Sequence, residues 1–181
     1  MKKLSFLMCL HGHQPSDNSR DIFEQAYKKS YEPFLDVLER HPRIKTSFHF
    51  SGPLLEWLIY NKPDFINKLQ QMVKQGRVEL LTGGYFEPIL PVIPERDTKG
   101  QIDMFSGFMQ KHLDYTPRGL WLTERVWDPS LASVLKDLRI DYTILDDFHL
   151  RLAGVEENPV FGHYTIGGHD DFHVFASIKK L

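Results

Sequence analysis

Apolar and polar positions change period repeatedly along the chain. Residues 4–10 are almost continuously apolar, the pattern of a strand covered on both faces. From 21 to 40 the apolar positions Ile22, Phe23, Ala26, Tyr27, Phe34, Leu35 and Leu38 recur at helical spacing, which predicts one buried stripe. Pro33 falls inside that stripe and predicts a kink or a split. His41 and Pro42 end it, and 44–50 reads as a second strand. Ser51-Gly52-Pro53 is a turn that starts a helix, with Leu54, Leu55, Leu58 and Ile59 at helical spacing. Lys62-Pro63-Asp64 opens another over 65–74, which Gly76 closes.

The second half repeats the alternation. Residues 78–81 predict a third strand, 88–94 a proline-rich loop and 95–112 a helix. Residues 120–123 predict a fourth strand, 129–138 a helix with Pro129 in its first turn, and 142–145 a fifth strand. From 149 to 171 the period is lost and Gly154, Gly162, Gly167 and Gly168 appear, which predicts a long loop or a hairpin insertion. A sixth short strand is expected at 172–176.

Strands alternating with helices at this spacing imply an α/β fold built on a parallel sheet. The chemically rich residues fall in a consistent place. His11-Gly12-His13-Gln14-Pro15 follows the first strand, His49 to Pro53 the second and Gly83 to Pro88 the third. Glu124-Arg125 follows the fourth, and Asp146 to His149 the fifth. In α/β barrels and open α/β sheets that edge carries the active site.

Composition narrows the classes. A length of 181 residues suffices for one full core, and 41% hydrophobic with 25% charged residues is ordinary for a globular protein. A formal net charge of −2 without a Lys/Arg run argues against a nucleic-acid partner. No stretch is long enough to span a membrane. Cys9 is the one cysteine, so there is no internal disulfide framework, and a reducing cytoplasm is the expected compartment. Lys2 and Lys3 ahead of an apolar run resemble the start of a signal peptide. The run is short and leads into His11-Gly12-His13-Gln14 instead of a small-residue cleavage site, so it reads as a strand.

The chain is organised around Gly119 to Pro129. There a short apolar strand ends in Glu124 and Arg125, bracketed by Trp121 and Trp127. A carboxylate at a strand end, walled by aromatics, suits the cleavage of a sugar linkage. Arg125 or a nearby histidine would help keep that carboxylate ionised. One tryptophan is expected in the core, with Trp127 the better sugar platform. His11 and His13, two apart on an extended segment, point the same way. They could ligate a metal, but no Asp stands beside them to complete a site, and neither a metal nor a cofactor is expected. Glu79 lies between apolar neighbours and reads either as an outward polar residue or as an inward substrate contact. Glu87 reads as a subsite residue or as the partner of a loop arginine. Of Asp146 and Asp147, one is expected to bind sugar hydroxyls and the other to act as a helix cap or loop partner.

Three stretches together, His13-Gln14-Pro15, Gly76-Arg77-Val78-Glu79-Leu80-Leu81 running into Gly84-Tyr85-Phe86-Glu87-Pro88, and Trp121-Leu122-Thr123-Glu124-Arg125-Val126-Trp127, resemble glycoside hydrolase family 57. Within it the chain looks most like the 4-α-glucanotransferase and α-amylase group. His49 to Trp57 and Ile144 to His149 extend the match in order across the chain. The resemblance implies a parallel (β/α)7-type barrel, an α-1,4-glucan substrate and a retaining mechanism with Glu124 as nucleophile. It implies sugar contacts at His13, Gln14, Glu79, Tyr85, Glu87, Arg125, Trp127 and Asp147. The family's acid/base aspartate belongs to a later motif and matches no position here. Residues 1–181 therefore read as one N-terminal portion of the catalytic barrel, incomplete and inactive alone. A metal-dependent polysaccharide deacetylase-like barrel and a non-catalytic glucan-binding module are the alternatives.

Overall fold

The protein is seen here as a computed structural model that describes residues 5–156 and 160–177. The expected strand start at residue 4, residues 157–159 of the expected loop, and the ending at 178–181 lie outside the described residues. Two compact units divide the chain, Met1–Leu81 and Thr82–Leu181. Among the described residues no helix is long and apolar enough to cross a membrane.

The first unit is a three-stranded parallel sheet in the order β1 (Cys9–Gly12), β2 (Thr46–Phe50), β3 (Val78–Leu80). Strand β1 is shorter and later than the expected 4–10. Its partner begins only at Thr46, so earlier residues have no ladder to join; Met8 O still accepts Ser47 N–H at 2.9 Å and Thr46 Oγ1 at 2.8 Å. The predicted helix over 21–40 forms as α1 (Arg20–Ala26) and α2 (Glu32–Arg40), joined by a π-turn at Tyr27–Tyr31. The split expected at Pro33 thus takes the form of a π-turn. Glu32 N–H donates to Tyr27 O, five residues back, and the widened turn accommodates the ring that an α-turn would exclude.

Helices α3 (Gly52–Asn61) and α4 (Pro63–Lys74) follow, each with a proline at its start, where a missing N–H is harmless. Leu35, Leu38, Leu54, Leu55, Leu58, Leu69 and Leu80 are essentially inaccessible to solvent. Arg77 fastens the end of α2 by donating from Nη2 to Leu38 O and, at 3.3 Å, to His41 O. Phe48 and Phe50 meet Phe34, Tyr31 and Phe65 edge-on. That face of the sheet is thus covered by helices.

The second unit opens at Thr82, which bridges to Leu120. Its sheet has the order β4 (Gly119–Leu120), β5 (Tyr142–Asp146), β7 (His169–Ser177), β6 (His163–Ile166), parallel except for the β6–β7 hairpin. Thr143 Oγ1 donates to Leu120 O at 2.9 Å in a buried setting and locks the β4–β5 register. Helix α5 (Glu95–Leu113) buries Ile102, Phe105, Met109 and Leu113 along one stripe. Helix α6 (Leu131–Asp137) starts after Pro129, not with it. The Asp128 carboxylate accepts Ser130 N–H at 2.9 Å and Ser130 Oγ–H at 2.5 Å, and that tight turn uses up the proline. Within the expected 149–171 loop, 163–171 belongs to the hairpin and its turn at Gly167-Gly168. Helix α7 (Asp147–Leu152) is a short addition that periodicity over six residues could not reveal.

A core of Leu120, Leu122, Leu131, Leu135, Leu145, Phe172 and Val174 with their neighbours lies on one face of this sheet. In the first unit, therefore, one sheet face is sealed by apolar packing and the other bears polar residues, whereas in the second Ile144 and Phe175 share the face opposite the core with Tyr142, His173 and Asp146.

Candidate active site

In the first unit Cys9, His11, His49 and Glu79 stand on the sheet itself, and His13 and Gln14 directly follow β1. Parallel register aligns Cys9 with Ser47 and Glu79, and His11 with His49. Residues in register share a face, and alternation puts Leu10, Phe48 and Leu80 on the opposite one. Glu79 is half-buried on the polar face. It acts on Cys9, whose thiol is pushed up to about 12 by burial and then by the Glu79 charge.

His49 is completely buried, and its Nδ1 lies 2.9 Å from His11 Nδ1. The rings stack with centroids 5.0 Å apart, and the His13 ring stacks on His11 at 6.0 Å. Burial first, and then the neighbouring His11 and His13, hold His49 well below the usual imidazole range. His49 is therefore neutral at pH 7. One of the two facing nitrogens must donate the shared proton, so the pair is committed to a hydrogen bond across β1 and β2. A metal bridging those two nitrogens would have to break that bond. His11 and His13 are exposed at the end of this row. Gln14 is held on both sides, donating Nε2–H to Tyr31 OH at 3.2 Å and accepting Asn18 Nδ2–H at 2.8 Å. Burial raises the Tyr31 phenol, and the Gln14 contact works against that rise.

In the second unit the site residues stand on loops after the strands. The loop from Gly83 to Pro88 turns so tightly that a Cβ on Gly84 would lie 2.5 Å from Pro88 Cδ. Tyr85 is buried, edge-on to Phe86, Phe105 and Phe108, while Phe86 is exposed. Glu87 closes the turn, donating its N–H to Gly84 O at 3.0 Å, with φ +54°.

Strand β4 is only two residues long where 120–123 is expected, because a 3-10 turn at Thr123–Arg125 replaces its end. Glu124 and Arg125 are consecutive residues with φ +53°. Each costs about 1–2 kcal/mol for a side-chain-bearing residue. Three of the five positive-φ non-glycine residues described, Glu87, Glu124 and Arg125, lie in these two loops. Such strain persists only where surrounding contacts hold it. Glu124 is exposed, and Arg125 is held by two partners. Its Nε is 2.7 Å from Asp146 Oδ1, and its guanidinium lies 5.9 Å from the centre of the Trp121 ring.

The two tryptophans separate. Trp121 stands beside Arg125, whereas Trp127 packs on the core cluster with its ring parallel to Phe172, 6.3 Å between centroids. Asp147 begins α7 and lies 3.9 Å from Arg151. Sequence alone leaves open which of Asp146 and Asp147 is the loop partner, and it assigns His49 no role; Asp146 is the one that pairs with a loop residue, Arg125. One signal was available for His49: His11 and His49 each lie near the end of an expected strand and each precede a proline by four residues.

Comparison with known proteins gives this arrangement a context. The chain is 41% identical over 182 aligned residues to a 4-alpha-glucanotransferase of Thermococcus litoralis, covering all of this chain and 28% of that protein. It is 43% identical to an alpha-amylase of Pyrococcus horikoshii, covering all of this chain and 29% of that protein. The crystal structure of the Thermococcus litoralis 4-alpha-glucanotransferase superposes with a TM-score of 0.92 over 99% of this chain and 28% of that one, at 41% identity. The chain thus spans little more than a quarter of the length of these relatives. The profile of glycosyl hydrolase family 57 matches residues 7–181, and the chain belongs to that family.

Proposed function

We propose that this chain presents the nucleophile of a retaining α-1,4-glucan-processing enzyme, and that Glu124 is that nucleophile. The observation that carries the reading is the exposed Glu124 carboxylate, turned out by left-handed backbone at the end of β4 beside a pinned guanidinium. Support comes also from the family membership and from relatives named as a glucanotransferase and an amylase. The Glu124 carboxylate attacks the anomeric carbon while a second carboxyl protonates the departing glycosidic oxygen. The resulting glycosyl ester is then released to water or to a sugar hydroxyl, as the second carboxyl takes back a proton.

The second carboxyl is the aspartate of a later motif that matches no position in residues 1–181. These residues alone are expected to turn over little. His13, Gln14, Glu79, Glu87, Arg125 and Asp147 are the proposed sugar contacts; Tyr85 and Trp127, expected among them, pack toward the core instead. Transfer to a sugar acceptor is the preferred outcome, and maltotriose should then yield longer oligomers as well as shorter ones. The deacetylase-like alternative is not favoured, since the relatives are named for glucan chemistry.

The test is trapping. A complete catalytic protein carrying these residues, treated with 5-fluoro-α-glucosyl fluoride and digested, should show the sugar on the peptide containing Glu124. Label on another carboxylate, or normal turnover by Glu124→Gln, would defeat the proposal. Purified residues 1–181 should give little product from maltooligosaccharides, and robust turnover would contradict the assignment of the second carboxyl.

A further inference from the structure

We infer that Asp146 is a positioning residue for the nucleophile, acting through Arg125. The inference rests on the reading of Glu124 just given. Strand β5 is paired by β4 at its start and by β7 along its whole length, and Asp146, in register with Ser177, ends it. It occupies the position before α7, with extended backbone, where an aspartate ordinarily accepts an amide of the first helical turn. It makes no such side-chain cap bond. Its carboxylate, 15% exposed, is instead directed to Arg125 Nε at 2.7 Å. Trp121 supports the same guanidinium.

The residue so held is the second of the two left-handed residues, and the first is Glu124. The turn has two backbone ties besides, Arg125 N–H to Leu122 O at 2.9 Å and Val126 N–H to Thr123 O at 3.3 Å, and neither fixes the Glu124 side chain. Without the carboxylate, the Arg125 side chain is free to swing and the Glu124–Arg125 backbone can relax toward ordinary φ. That would carry the Glu124 carboxylate off line. The pair thus holds the loop conformation that presents the nucleophile, without Asp146 touching the sugar.

The test uses the complete catalytic protein with maltotriose. Asp146→Asn should lower kcat by about 100-fold, the scale of a misplacement near 1 Å, with KM changed by no more than about threefold. Asp146→Glu should recover part of the loss. Arg125→Ala should be similarly slow, and adding Asp146→Asn to it should cost little more. That shared loss, with the double variant no worse than Arg125→Ala, is an outcome that general loosening of the fold would not produce. Asp141→Asn serves as the control. It breaks the Arg118–Asp141 pair at the other end of β5 and should leave kcat unchanged.

Wild-type kcat in Asp146→Asn, or losses that simply multiply in the double variant, would overturn the positioning role while leaving Glu124 as nucleophile. Normal turnover by Glu124→Gln would instead remove the reading underneath it. Thermal midpoints of all variants are measured alongside. A slow Asp146→Asn that is also destabilised, with no recovery in Asp146→Glu, counts against the proposal.

Discussion

The two units place reactive side chains in opposite ways. In Met1–Leu81 all but His13 and Gln14 stand within the strands. His11, His49, Cys9 and Glu79 occupy register positions of a parallel ladder, and their backbone is ordinary extended chain. In Thr82–Leu181 they stand just beyond the strands, on turns whose residues take positive φ, and side-chain contacts hold them there. Register gives placement at no conformational cost, but only along the strand's own direction and at 3.3 Å intervals. A strained turn can aim a carboxylate elsewhere, and it then depends on whatever restrains it. The first unit is therefore expected to be sensitive to what fills its sheet, and the second to what holds its turns.

Several substitutions would break or sharpen this contrast. The largest effect is expected from Phe172→Ala, which empties a wholly buried site beneath Trp127. It should cost about 3–5 kcal/mol, read by denaturant unfolding, and shift Trp127 emission in the folded state. A loss below about 1 kcal/mol would mean the second unit's core does not depend on that ring.

Gly12→Ala tests the packed side of the first sheet. A Cβ there would sit 3.0 Å from Phe50 and 3.3 Å from both Leu54 and Tyr31, so destabilisation by about 1–3 kcal/mol is expected. An unchanged unfolding midpoint would show that the π-turn carrying Tyr31 gives way freely.

Acid should destabilise the protein through His49. Its folded pKa is depressed by burial, so between that value and the ordinary 6.5 the unfolded state holds the extra proton. The stability is present above pH 6.5 and is lost as pH falls below it, at no more than about 1.4 kcal/mol per pH unit for one proton. His49→Gln should flatten the slope between pH 7 and pH 5. An identical slope in the variant would refute the assignment.

Glu124→Gly should move stability the other way. Relief of a left-handed residue, about 1–2 kcal/mol, outweighs the added freedom of glycine in the unfolded chain, about 0.5–1 kcal/mol. A net gain near 0.5–1 kcal/mol is expected, together with loss of turnover in the complete protein. A variant less stable than the parent would show that the Glu124 turn carries no strain.

Cys9 gives the smallest effect, without any change in stability. With its thiol near 12, the thiolate fraction at pH 8 is about a thousandfold below that of an ordinary cysteine. Iodoacetamide should label it only after unfolding, and rapid labelling of the folded protein would contradict the Cys9–Glu79 proximity.

Much of this architecture was legible beforehand. The α/β alternation, the helices over 65–74 and 95–112, and the gathering of polar residues after the strands all follow from periodicity and turn chemistry. Their lengths are long enough for period to show. Strand β4 was not, because two residues carry no period, and the apolar Leu122 that extended the expectation is buried in the core without belonging to the ladder. The start of α6 was displaced by a side-chain turn at Asp128 that competes with the helix for Ser130 N–H. The π-turn at Tyr27–Tyr31 reconciles Pro33 with an unbroken helical stripe, and composition gives no notice of it.

The motifs that mark this chain as glycosyl hydrolase family 57 are local, and local sequence was enough to single out Glu124, Arg125, His13 and Glu79. Which partners those residues take was decided only when the strands were brought side by side. His49 meets His11 across 38 residues, and Asp146 meets Arg125 from a neighbouring strand. Tyr85 and Trp127 look alike to Phe86 and Trp121 in sequence, but packing turned the first of each pair into the core. Hydrophobic pattern specifies that a face is buried. The identity of the atoms across a ladder or a turn depends on register and backbone handedness, and those are properties of the assembled chain.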